Sequence, residues 1–139
     1  MELTDFQKGY IAALIDGEGS VCLTQNAPNQ HRSPAVTISS TTQELLLYMQ
    51  EIAGGTIVSK KKYKEHHKDA WQWALRGDRA IELLIQVYDY LLVPEKHYKA
   101  KLIVKEYKLV TPRNGKYSEE KLKAKLDFEK RFFEYDANY

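Results

Sequence analysis

Twice along this chain an apolar stripe at helical spacing is followed by two short alternating segments, and a third helical stripe closes the pattern. The first helix is expected from Thr4 or Asp5 to about Ile15, with Thr4 and Gln7 at capping-box spacing and Phe6, Tyr10, Ala13 and Leu14 on its stripe. Gly17 and Gly19 are expected to end it. In "SVCLTQNA", Val21 and Leu23 share one face while Cys22, Thr24 and Asn26 share the other. In "AVTISS", Val36 and Ile38 share a face, and the two-proline stretch "APNQHRSP" makes a long polar hairpin tip between these strands. The second unit has the same order of elements but a different sequence. Thr41 and Glu44 have capping-box spacing, Leu45, Tyr48, Met49 and Ile52 form the stripe, and Gly54-Gly55 closes the helix. Strands "TIVSKKKY" and "DAWQWALRG" follow, the second with Trp71, Trp73 and Leu75 opposed to Gln72, Ala74 and Arg76. Asp78 then caps a helix carrying Ile81, Leu84, Ile85, Tyr88 and Leu92, stopped at Val93-Pro94. Hairpins alternating with helices in the order αββαββα predict an α+β fold: a four-stranded antiparallel sheet with helices on one face.

Two further helices are expected, from Lys96 to Val110 and from Ser118 to Tyr135, the last with Leu122, Leu126 and Phe133 on one side. A length of 139 residues suits one domain. Its core is expected over about 5–110, with a C-terminal helical extension over about 111–139. With Cys22 as the only cysteine, no intrachain disulfide can form, which suits an intracellular, reducing setting such as cytoplasm, nucleoid or organelle. No stretch approaches the length of a membrane span, and residues 1–15 lack the basic start and apolar run of a signal peptide. Neither a zinc-type Cys/His set nor a Walker-type glycine-rich loop is present.

Helices on one face leave the other face of the sheet open. Its polar side chains lie near a basic run, "KKKYKEHHK" over 60–68, which holds five lysines, whereas residues 1–19 hold four acids and one lysine. Lysines attract phosphate without regard to sequence, while Gln, Asn and Arg can reach base edges. On composition alone the face is either a plain solvated one or a surface for a DNA groove; in the second case Gln25, Asn29, Gln30, Arg32, Lys60, Lys62, Gln72 and Arg76 are the candidates for contact with double-stranded DNA. Trp71 and Trp73 are read as core residues rather than base-stacking ones.

The end of the first helix, "GYIAALIDGEGSV", is electrostatically odd. Asp16 and Glu18 crowd a helix C-terminus, where the macrodipole disfavours negative charge. Small residues Gly9, Ala12 and Ala13 form a stripe before them.

Within it, "IAALIDGEG", Ile11 to Gly19, resembles the nine-residue signature of the LAGLIDADG homing endonucleases, and the αββαββα order over residues 5–92 resembles their core. One copy of the motif is present. The resemblance implies a homodimer that packs Gly9, Ala12, Ala13 and Asp16 against their twins and cleaves a palindromic or near-palindromic DNA site on both strands. It implies that Glu18 and the carbonyl of Gly17 bind Mg²⁺, with Mn²⁺ or Ca²⁺ able to occupy the same site. The ion would remove the repulsion between two Glu18 carboxylates at the dimer axis, activate water and stabilise the leaving oxygen. Lys96 falls where the family carries a catalytic lysine, and Thr42 or Gln43 where it carries a polar residue that positions water. Asp16 is expected to serve the helix end rather than the metal. The alternative is a LAGLIDADG-like protein that binds nucleic acid without cutting it, as a regulator or intron maturase. Retention of Glu18 favours the nuclease.

Overall fold

The structure, a computed structural model, describes residues 1–60 and 69–139. Most of the lysine run, including Lys62 and the adjacent His66 and His67, lies outside the described residues. The elements are helix α1 (Asp5–Glu18), strands β1 (Gly19–Thr24) and β2 (Ser33–Ser40), helix α2 (Gln43–Ala53), strands β3 (Thr56–Lys60) and β4 (Ala70–Arg76), and helices α3 (Asp78–Val87), α4 (Pro94–Glu106) and α5 (Glu119–Phe133). Short 3₁₀ turns, Tyr88–Tyr90 and Tyr107–Leu109, follow α3 and α4. The expected α+β architecture is the one observed. Among the described residues no helix is long and apolar enough to cross a membrane.

The four strands form one antiparallel sheet in the order β1-β2-β4-β3. Each hairpin thus contributes its second strand to the centre and its first to an edge. Strand pairing sets the faces, because successive side chains alternate. On one face Val21, Val36 and Leu75 stand in register, beside the Ile38–Trp73 pair. All five are buried in a core they share with Ile11 and Ile15 of α1, Leu46 and Met49 of α2, Leu83 and Leu84 of α3, Leu102 and Ile103 of α4, and Phe128 and Phe132 of α5. The open face carries the rows Cys22–Ala35–Arg76, Ser20–Thr37–Ala74–Thr56 and Ser39–Gln72–Val58. The expected parity of β1, β2 and β4 is the observed one, and Trp73 is fully buried, its indole N–H donating to the Gly54 carbonyl at 2.7 Å.

Several helix boundaries and faces differ from expectation. Helix α1 continues three residues past Ile15 because Gly17 adopts the helix rather than ending it; Gly19 is the cap. A Cβ on Gly19 would stand 2.8 Å from the Thr37 carbonyl and 2.8 Å from the Ile15 Cα, so the close passage from helix to strand admits only glycine. The expected capping box at Thr4 and Gln7 is present. The one at Thr41 and Glu44 is absent: Thr42 occupies the cap, and its N–H donates to the Ser40 hydroxyl. The α2 stripe centres on Leu46, Met49 and Ala53, one position along from Leu45, Tyr48 and Ile52, which are half-buried. Helix α3 stops at Val87, five residues before Leu92, which is 85% exposed; Gly77 rather than Asp78 is its cap. Pro94 opens α4 at a first-turn position, where its missing N–H costs nothing.

The largest difference is in α5. Leu122, Leu126 and Phe133 face outward, and Lys125, Phe128 and Phe132 face the core. The buried face was hidden in the sequence because its first member is charged. The Lys125 ammonium donates to the Thr111 hydroxyl at 2.7 Å and lies 4.1 Å from the centre of the Tyr107 ring, a cation–π contact that offsets part of its lost hydration. Burial pushes its pKa down to about 8, with Glu129 opposing the shift. Nearby, Arg131 donates to both Glu106 carboxylate oxygens, at 2.7 and 2.9 Å, and holds that carboxyl below the usual range.

Two outcomes follow from these contacts. Gly55 has φ +94, and a Cβ there would stand 2.6 Å from the Ala74 carbonyl. Gly55→Ala should therefore destabilise the fold by about 2 kcal/mol or more in urea unfolding. A lysine whose folded pKa lies below its unfolded value leaves the unfolded chain holding more protons between about pH 8 and 10. Stability should rise with pH across that window by about 2 kcal/mol. The rise should be missing in Lys125→Met.

Candidate functional site

The acidic end of α1 is held by the start of α4, across more than seventy residues of sequence. The Asp16 carboxylate accepts from the backbone N–H groups of Leu92, at 2.8 Å, and Val93, at 3.2 Å. These groups lead into the N-terminus of α4, the positive end of its dipole. In return the Lys96 ammonium, from the first turn of α4, donates to the carbonyls of Ile15 and Asp16, each at 2.8 Å. A helix ending at Glu18 leaves its last four carbonyls without intrahelical donors. Lys96 takes two of them and the Gly19 N–H shares the Ile15 oxygen; the Gly17 carbonyl comes next along the turn. Asp16 and Lys96 thus answer the charge problem posed by the sequence: the unfavourable carboxylate meets two amide donors, and the negative helix end meets an ammonium.

Glu18 is left exposed, and among the described residues its carboxylate makes no hydrogen bond or ion pair. Gly17 beside it is exposed, with open space where a Cβ would be. Gly19 pairs with Ile38, so the far end of β2 and the start of α2, with Thr42 and Gln43, lie at the same end of the sheet as Glu18 and Lys96. A cavity of about 150 Å³ adjoins this end, lined by Ser20, Val93, Lys96 and Lys99 among others. Among the described residues no three His, Cys, Asp or Glu side chains gather as a metal cluster. Glu18 and the Gly17 carbonyl are hard oxygen donors of the kind Mg²⁺ accepts.

The outward face of α1 needs one correction. Ala12, expected on the small stripe, is 1% exposed and belongs to the core. The small residues that face out are Gly9, Ala13 and Gly17, at a spacing of four, with no atom within 4 Å of a Cβ built on either glycine. Phe6, 70% exposed, extends the same side toward the N-terminus. Asp16 is half-buried and turned to the α3–α4 connection.

The DNA-contact candidates divide into two groups. Lys60 and Gln72 lie on the open sheet face, toward the Glu18 end, with the Lys60 ammonium donating to the Ser39 hydroxyl. Gln25, Asn29, Gln30 and Arg32 are at the β1–β2 tip, at the opposite end of the sheet, and Arg76 stands on that side of the open face. Two of these are already engaged. The Gln25 amide donates to the carbonyls of Pro28, at 3.1 Å, and Gln30, at 2.6 Å. Arg32 donates to the Leu23 carbonyl and faces Glu129 and Phe133 of α5. Asn29 and Gln30 are exposed. Sequence reasoning missed the double role of Lys96 as a cap, the reach of Asp16 and the contact of α5 with the hairpin, because local spacing carries no signal for pairs so far apart.

No protein-family profile matches the sequence, and no curated protein matches it. Solved structures do. The homing endonuclease I-CvuI, in complex with the I-CreI target in the presence of Mg, is 19% identical at a TM-score of 0.53, over 72% of this chain and 64% of that one. An archaeal intron-encoded homing endonuclease, I-Vdi141I, complexed with DNA, is 21% identical at a TM-score of 0.54, over 96% and 91%. The LAGLIDADG homing endonuclease I-LtrWI, bound to target DNA, is 17% identical at a TM-score of 0.64, over 94% and 45%. The chain therefore spans most of I-Vdi141I, less than two thirds of I-CvuI and under half of I-LtrWI. Its fold is that of the LAGLIDADG homing endonucleases, as the αββαββα order implied.

Loss of the Asp16 carboxylate removes two charge-assisted hydrogen bonds at a partly exposed site. Asp16→Ala should cost about 1–2 kcal/mol of stability in urea unfolding, and Asp16→Asn, which keeps an acceptor, about half as much.

Proposed function

We propose that this chain is a site-specific DNA endonuclease that acts as a homodimer and cleaves both strands of a palindromic or near-palindromic site with a divalent ion. The observation that carries the reading is the exposed Glu18 carboxylate, which bonds to none of the described residues. It stands exposed at the end of a helix whose outer stripe is small, while the Asp16 carboxylate and the Ile15 and Asp16 carbonyls beside it are tied down. An exposed carboxylate beside a backbone held by Asp16 and Lys96 suits an ion brought by substrate and solvent. The outward Gly9, Ala13 and Gly17 suit close approach of a twin helix, and a two-fold dimer would bring two Glu18 residues together. The I-Vdi141I and I-LtrWI complexes, which share the fold, contain DNA.

In this reading Glu18 and the Gly17 carbonyl would hold a divalent ion that favours oxygen donors, Mg²⁺ being the one proposed. When bound, the ion supplies Lewis-acid charge at the scissile phosphate and an acidified water. Lys96 uses two of its three N–H donors on the helix end. The third remains for a phosphate oxygen or the attacking water, and the two anchored ones keep the ammonium in place. Thr42 and Gln43, at the exposed start of α2, hold water near the same phosphate. The open sheet face reads the groove, with Gln72 and Arg76 toward base edges and Lys60 toward phosphate. The work lies inside a cell or organelle, where reduced Cys22 is stable.

The test is selection of cleaved duplexes from a randomised DNA library, with and without Mg²⁺. Double-strand cleavage of a symmetric site is expected, dependent on the metal. Glu18→Gln should lower the cleavage rate by at least about a thousandfold while leaving binding within a few-fold. Light scattering should show a dimer at micromolar concentration, disrupted by Ala13→Glu. Site-selective binding with no cutting in Mg²⁺ or Mn²⁺ would identify a non-cleaving DNA-binding protein instead.

A further inference from the structure

The C-terminal helix has no part in the site described above, yet it touches the far hairpin through charged and aromatic groups. The Glu129 carboxylate lies between His31, at 3.6 Å, and the Arg32 guanidinium, at 3.8 Å. One of its oxygens is fully buried without a hydrogen-bond partner, so the group is held there at a cost in hydration. The Arg32 guanidinium also stacks over Phe133 at 5.1 Å and donates to the Leu23 carbonyl. Tyr117, just before α5, packs its ring 4.5 Å from His31. Within the tip, the Gln25 amide fastens the Pro28 and Gln30 carbonyls. Each contact alone is weak. Together they grip both sides of an eight-residue loop whose outward side chains, Asn29 and Gln30, point to solvent.

We propose that Glu129 and Phe133 of α5 are positioning residues that fix the β1–β2 tip, through Arg32 and His31, as a rigid reader of the outer part of each DNA half-site. This rests on the DNA-binding reading above and changes the assignment within it. Arg32 and Gln25 build the tip, and Asn29 and Gln30 make the contacts. Ordering the loop before binding removes an entropy cost from association, so the benefit is in affinity and outer-site discrimination and not in the chemical step.

The experiment uses the full chain and the DNA site recovered from the randomised library. Phe133 is 55% exposed, so its replacement leaves the core intact. Phe133→Ala and Glu129→Gln should each weaken site binding about tenfold. Hydroxyl-radical protection should be lost at the outermost base pairs while the centre stays protected. Single-turnover cleavage at saturating protein should be unchanged, and amide exchange over residues 25–32 of the free protein should quicken. Phe133→Tyr, which keeps the ring under Arg32, should behave as wild type. Unchanged affinity, footprint and exchange in both variants, with wild type active, would overturn the positioning role and leave the nuclease reading standing. A slowed single-turnover rate would also overturn it. If the wild type selects no DNA site at all, the nuclease reading falls and takes this inference with it.

Discussion

The exchange between α1 and α4 organises the rest of the molecule. Asp16 reaches from one helix to the amides leading into the other, and Lys96 reaches back to the carbonyls of the first. Each charge faces the end of the opposite helix whose dipole it complements. The pairing fixes the direction in which the chain leaves α1, and the glycine passage at Gly19 turns that direction directly into β1. Since β1 pairs with β2 and β2 with β4, the orientation of the whole sheet follows from this one junction. Glu18 sits on the last helical residue before the passage, which is why it can be exposed and well placed at once.

The sheet then divides the work between its faces. The residues facing the helices make a continuous apolar layer, and those facing away are small or polar apart from Val58. No helix among the described residues covers the second face. A surface of this kind, four strands wide with hydrogen-bonding groups in rows, suits a nucleic acid groove. The β1–β2 tip lies beyond Thr24 and Ser33, where α5 braces it, and Lys60 and Ala70 mark the opposite end of the sheet.

Much of this could be read from the sequence. Alternation in β1, β2 and β4 gave the strands and which side chains share a face, because side chains repeat with a two-residue period; the packing of the helices decided which face is buried. The signature around Asp16 and Glu18 gave the fold, and the αββαββα order supported it independently. Helix faces were less legible. Leu92 and Leu122 continue an apolar spacing beyond the point where a helix is actually buried, and Lys125 breaks the spacing where one is. Periodicity treats a lysine as solvent-facing, whereas Thr111 and Tyr107 make it a core residue. Ala12 and Ala13 are adjacent and alike, yet one is inside and the other outside, a difference that only the packing of Ile11 and Ile15 decides. Contacts such as Arg32 with Phe133 have no local signature.

The alternation along the strands has an evolutionary consequence. Core residues and open-face residues share the same segments but never the same positions, so Thr37, Ser39 and Gln72 can change without disturbing Val36, Ile38 or Trp73. Their neighbours Ala35 and Ala74 are small, which leaves room for longer side chains to lie across the sheet. A lineage carrying this chain can therefore alter its open face one residue at a time, with the fold and the Glu18 junction carried along unchanged.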